Sequence, residues 1–175
     1  GYEVMADALY GVMFENGTSE PTEYKSNDVY VSKSGKPVAS GTKDDPYIIS
    51  EPDSFDALLY NISKVDTSLR GAGRYFKQTA SFDAPKAGED ADGREYASFP
   101  FAGNYDGGGY TITNLNYYGN NDPVRDSNIG LFDGLLEGAV VKNLNVEASI
   151  QGVYNNAGVI AGYTQGSVTI ENVTV

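Results

Sequence analysis

Apolar residues recur along the chain in short alternating runs, with one helical stripe among them. From Asp28 onward, Val29-Tyr30-Val31-Ser32 reads as a strand, Lys33 to Pro37 as a Gly/Pro turn, and Tyr47-Ile48-Ile49 as a second strand after Asp44-Asp45-Pro46. Phe55, Leu58, Leu59, Ile62 and Val65 are instead spaced by three and four residues, which places them on one face of a helix near 53–65. Asp53 or Ser54 is placed to cap it by accepting from free N–H groups of the first turn. Such a face needs apolar cover. Arg74 to Phe82 alternates in part and predicts a strand, and the polar stretch Asp83 to Ser98 predicts a loop. Residues 1–27 form an N-terminal segment of weak pattern. In it Met5, Leu9, Val12 and Met13 have helical spacing up to the Glu15-Asn16-Gly17 turn.

Beyond Phe101 the pattern repeats. Ile112-Thr113-Asn114-Leu115-Asn116-Tyr117, Val141-Lys142-Asn143-Leu144-Asn145-Val146 and Ile170-Glu171-Asn172-Val173-Thr174-Val175 share one template, with the central Asn recurring every 29 residues. Asn128-Ile129-Gly130-Leu131-Phe132-Asp133-Gly134 recurs as Asn156-Ala157-Gly158-Val159-Ile160-Ala161-Gly162, offset by 28. Two motifs sharing nearly one period define a structural repeat. The period holds short strands and turns but no helix. A coil of strands satisfies it, each repeat making one turn and pairing with the turn before at about 4.8 Å. Ile112, Leu115 and Tyr117 are then expected to stack on Val141, Leu144 and Val146, and these on Ile170, Val173 and Val175. The step of three between the first two apolar positions marks a bend at Asn114, Asn143 and Asn172. Asn tolerates left-handed geometry, and stacked Asn side chains can form a hydrogen-bonded ladder.

The residues 101–115 (FAGNYDGGGYTITNL), Ile129-Gly130-Leu131-Phe132 and Ala157-Gly158-Val159-Ile160-Ala161-Gly162 resemble the GLUG-motif proteins, which are β-helix proteins of bacterial and archaeal adhesin-like surface proteins and some IgA peptidases. Gly41-Thr42-Lys43-Asp44-Asp45-Pro46-Tyr47-Ile48-Ile49 and the helix after it look like the opening of such domains. The resemblance covers residues 28–175. It implies an all-β, right-handed parallel β-helix with a short capping helix, on a secreted or cell-surface protein. Peptidase members carry a separate zinc-binding domain that nothing here matches, so peptidase activity is not implied.

Composition narrows the chemistry. The 175 residues include no Cys and no His, which removes thiolate catalysis, His-dependent triads and the common zinc sites. The net charge of −12 argues against nucleic acid and anionic membranes as partners, and no apolar run has the length of a membrane span. Outward positions Thr113, Lys142 and Glu171, with Asn116, Asn145 and Thr174, stack no carboxylate pair of the kind that glycoside hydrolysis requires. Arg125, Asp122 and Asp126 join no recognisable constellation. Asp90-Ala91-Asp92-Gly93 is a fragment of a calcium loop with too few oxygens, leaving Asp90 and Asp92 as weak Ca²⁺ ligands.

Tyr is abundant at 14 residues. Tyr117 aligns with Val146 and is expected in the core. Tyr118 aligns with Glu147 and is expected outside, and Tyr154 and Tyr163 fall in or near turns. Exposed tyrosines can stack on sugar rings, although Tyr also suits half-buried strands. The resulting expectation is a non-catalytic adhesin-like module that binds glycans or matrix proteins through Tyr118, Tyr154 and Tyr163. The alternatives are a structural spacer or assembly subunit and a polysaccharide lyase or hydrolase. Because Val175 ends a core-forming motif, the repeat is expected to continue or to associate end to end.

Overall fold

The computed structural model describes residues 23–25, 30–32, 39–60, 62, 70–85, 99–118, 128–152 and 155–175. They form a parallel β-solenoid with one short helix. The strands are β1 (Glu23–Lys25), β2 (Tyr30–Ser32), β3 (Tyr47–Ile49), β4 (Tyr75–Gln78), β5 (Phe82–Asp83), β6 (Asn104–Asp106), β7 (Thr111–Tyr118), β8 (Phe132–Leu135), β9 (Val140–Gln151), β10 (Ala161–Thr164) and β11 (Thr169–Thr174), and α1 spans Pro52–Tyr60. β1 and β2 pair antiparallel as a separate two-stranded sheet. All the other pairings are parallel.

Three stacks of strands enclose the core. One runs β3, β4, β6, the first half of β9, then β11. In it Tyr47 lies over Phe76, Phe76 over Tyr105, Tyr105 over Val141, and Val141 over Ile170. The second runs β5, β7 and the rest of β9, with Phe82 on Ile112 and Ile112 on Val146. The third pairs β8 with β10, and Phe101 bridges to Leu135 beneath. Inward residues alternate with outward ones, as the pleat requires. Tyr105, Val141, Ile112, Phe101 and Phe132 are fully buried. Phe101 and Phe132 stack face to face, ring centroids 4.4 Å apart.

The helix buries the predicted face: Phe55, Leu58, Leu59 and Ile62 are all inside. Val65 lies outside the described residues. The Phe55 ring reaches Phe82, Tyr105 and Phe132 at 5.8–6.2 Å, so one side chain ties the helix to all three stacks. The cap differs from the expectation. The helix starts at Pro52, whose fixed φ suits a first helical position. Ser54 therefore sits in the first turn. Its Oγ reaches back to accept from the N–H groups of Ser50 and Glu51, and it donates to the Glu51 carbonyl.

Two expectations of register are corrected. The strand predicted over Arg74–Phe82 is broken at Thr79–Ser81 into β4 and β5. Gln78 points inward there, and its amide donates to the Ala80 carbonyl at 2.8 Å while accepting from the Tyr105 hydroxyl at 3.0 Å. The second correction concerns the stacking of the repeats. Ile112 pairs with Val146 and Leu115 with Ala148, where the template match put them on Val141 and Leu144. Residues Gly107–Tyr110 form an enlarged corner between β6 and β7, so β7 lies further around the coil than its sequence twin in β9. The later match holds as expected, with Ile170 on Val141 and Val173 on Leu144.

The strand predicted over Val29–Ser32 is present as β2, paired with β1 outside the solenoid. The helical spacing of Met5, Leu9, Val12 and Met13 and most of the 83–98 loop fall outside the described residues.

Candidate binding face

The stack from β3 to β11 presents one continuous outward column. Its members are Ile48, Lys77, Asp106, Lys142 and Glu171, one on each strand. Beyond the exposed Ile48 the charges alternate in sign. Strand spacing sets them about 4.8 Å apart, so each charge has a neighbour of opposite sign within Coulombic reach. Lys142 Nζ lies 3.4 Å from Asp106 Oδ2, both side chains remaining partly exposed.

Asp106 is the most constrained group on this face. Its Oδ1 accepts from the Gly108 N–H and from Asn143 Nδ2, both at 3.0 Å. Partial burial pushes its pKa up. The Asn143 amide, the Gly108 N–H and the Lys142 ammonium outweigh that effect and hold the carboxyl below its usual value. It is therefore an anchored carboxylate.

The corner Gly107–Tyr110 borders this column. Gly107 and Gly109 donate their N–H groups to the carbonyls of Lys142 and Asn143, and Tyr110 accepts at its carbonyl from the Asn145 N–H. Asn145 Nδ2 also donates to the Gly109 carbonyl at 3.0 Å. Gly108 and Gly109 have φ of 61° and 83°, and an added Cβ on Gly107 would lie 2.7 Å from Leu144 Cα. The glycines are needed both for the left-handed backbone and for this close approach. The result is a corner pinned to β9 that carries Tyr110 with 40% of its surface exposed. The alternation of apolar positions gave no sign of Tyr110, because a corner residue belongs to neither face of a strand. The run Asp106-Gly107-Gly108-Gly109-Tyr110 was its only sequence signal.

The other predicted positions separate. Asn143 and Asn172 share one ladder: Asn172 Nδ2 donates to Asn143 Oδ1 at 2.9 Å, and the ladder ends on Asp106. Asn114 stands at a different corner and donates to Asp83 Oδ1 at 2.9 Å. All three have left-handed backbone, φ 51–54°. Tyr117 is buried, pairing with Ile150 in place of the expected Val146. Tyr118 pairs with Gln151 in place of Glu147, and its side chain lies outside the description. Tyr163 is half-buried with its ring lying against Gly134, where a Cβ would sit 2.3 Å from the ring. The outward column through Lys142 and Glu171 continues to Asp106 in place of Thr113, and Asn145 pairs with Thr111 in place of Asn116. Tyr154, Asp90, Asp92, Asp122, Arg125 and Asp126 lie outside the described residues.

Among the described residues, no group of three His, Cys, Asp or Glu side chains is arranged to hold a metal ion, and no helix is long and apolar enough to cross a membrane. No protein-family model matches the chain, nor does any curated protein or solved structure.

Proposed function

We propose that the chain is a non-catalytic, adhesin-like recognition module of a secreted or cell-surface protein, binding an extended glycan or a matrix protein along the β3–β11 face. The observation that carries this reading is the exposed Tyr110, held by a hydrogen-bonded corner beside the Lys77, Asp106, Lys142 and Glu171 column. An exposed aromatic residue on a corner that adjoins regularly spaced charged groups suits a ligand with apolar ring faces and hydroxyl edges. The face is built on paired strands, so little ordering entropy is lost on binding. The GLUG resemblance supports the extracellular setting, and the net charge of −12 disfavours polyanionic ligands.

The test is an array of glycans and matrix proteins probed with the wild-type chain and Tyr110→Ala, in Ca²⁺ and again in EDTA. The expected result is binding to a related set of ligands, weakened about tenfold or more by the substitution, which corresponds to the loss of one aromatic contact. Absence of binding, or binding indifferent to Tyr110, overturns the proposal. New reducing or unsaturated ends on a bound polysaccharide would replace it with the polysaccharide-cleaving alternative.

A further inference from the structure

The two lysines of the outward column are not equivalent. Lys142 is paired with Asp106 at 3.4 Å, and the Asp106 carboxylate is further held by Asn143 and the Gly108 N–H. Lys77 is exposed and, among the described residues, has no ion-pair or hydrogen-bond partner. Its neighbour toward β3 is Ile48, which is apolar and 46% exposed, so nothing on that side competes for its charge.

Two more uncommitted groups stand beside it. Tyr75 and Lys77 alternate with the buried Phe76 and Gln78, so they share the outward face of β4. On the next strand Asn104 pairs with Tyr75. Strand geometry sets Tyr75 and Lys77 about 6.6 Å apart, and Asn104 about 4.8 Å from Tyr75. Asn104 Nδ2 donates to the Arg74 carbonyl at 3.2 Å, which leaves Oδ1 as an acceptor without a protein donor among the described residues. The hydroxyl of the half-buried Tyr75 likewise has no partner among them. One cation, one aromatic ring and one acceptor therefore lie together on a rigid sheet.

We propose that Tyr75, Lys77 and Asn104 form the subsite for one terminal carboxylated sugar of a glycan. The sugar carboxylate accepts from Lys77 Nζ, an apolar ring face lies on Tyr75, and a ring hydroxyl donates to Asn104 Oδ1. This assignment rests on the recognition face proposed above and names the chemistry of its ligand. The charge balance limits the ligand to a single acid. Asp106 follows Lys77 in the column and Glu171 follows Lys142, so a polymer with a carboxylate on every unit would meet them and the net charge of −12. A sugar acid brings a carboxylate, an apolar C–H face and hydroxyl donors within the breadth of one ring, which a peptide side chain does not.

The test is a chemical-shift titration of the isotope-labelled full chain with sialyllactose and with glucuronosyl-glucose, each compared with its neutral methyl ester. At least one acid is expected to bind about fivefold tighter than its ester and to shift the amides of Tyr75–Gln78 and Asn104–Asp106. Which acid binds tells a sialate from a uronate. Lys77→Met should abolish the preference and leave the ester affinity unchanged, Lys77→Arg should keep the preference, and Tyr75→Ala should weaken acid and ester alike, each variant being checked as folded by circular dichroism. Added salt should weaken the acid and spare the ester. Equal binding of acid and ester, or a preference that survives Lys77→Met, overturns the assignment; binding that still depends on Tyr110 then leaves the recognition face standing. Failure of both acids to bind also overturns it, and the array with Tyr110→Ala decides separately whether the face recognises another ligand.

Discussion

Asn143 joins the backbone geometry, the amide ladder and the charged face, so substitutions there separate their contributions. Its φ is 52°, its Nδ2 donates to the Asp106 carboxylate and its Oδ1 accepts from Asn172. Alanine loses both bonds. The partly buried, charge-assisted one contributes about 1 kcal/mol after discounting for solvent, and the exposed one about 0.5 kcal/mol or less. Alanine must also hold a left-handed backbone, at a cost of about 1 kcal/mol. Asn143→Ala is thus expected to destabilise by about 2–3 kcal/mol. Glycine loses the same bonds but holds the left-handed backbone freely, so Asn143→Gly should cost about 1–2 kcal/mol. The assay is urea unfolding followed by circular dichroism, with m compared across variants to confirm a common transition. If Gly proves as costly as Ala, the strained corner contributes nothing. A cost under about 0.5 kcal/mol for both variants would refute the ladder as a source of stability.

Three further outcomes are expected. Phe55→Ala, which removes the ring shared by the three stacks, should destabilise by about 3–5 kcal/mol in the same assay; a loss under about 1 kcal/mol would mean the helix is dispensable. Gly134→Ala should displace the Tyr163 ring and cost about 1–3 kcal/mol, relieved in the double variant with Tyr163→Ala, since the second change removes the clash. The Asp106 pKa is held down in the folded chain, so its contribution is present above the unfolded value of about 3.9 and is lost as pH falls through the lower folded value. Wild type should therefore lose its stability advantage over Asp106→Asn on acidification below about pH 3.9, and a difference independent of pH would contradict the assignment.

The solenoid was legible because Asn143 and Asn172 repeat with the same apolar neighbours at the same spacing. The register of the earlier rungs was not. Asn114 sits in an identical-looking motif, but the motif records a local bend, and bends occur at more than one corner of a coil. The Gly107–Tyr110 corner moves β7 past the first bend, so Asn114 meets Asp83 and its twin Asn143 meets Asp106. An earlier repeat was also hidden. Tyr47, Phe76 and Tyr105 are spaced by 29 residues, yet their neighbours Ile49 and Gln78 share no chemistry. A buried Gln breaks the apolar pattern that marks a core position, and only its bonds to Tyr105 and the Ala80 carbonyl explain it. Tyr163 shows the converse, an aromatic near a turn that the fold uses to cover Gly134.

The most direct test of the recognition face is a calorimetric titration of the best array ligand into the wild-type chain, Tyr110→Ala and Lys142→Ala, each verified as folded by circular dichroism. Saturable binding to the wild type, weakened by about tenfold or more in both variants, is the predicted result. Equal affinity in all three would show that the ligand sits elsewhere and would contradict the assignment of the β3–β11 face.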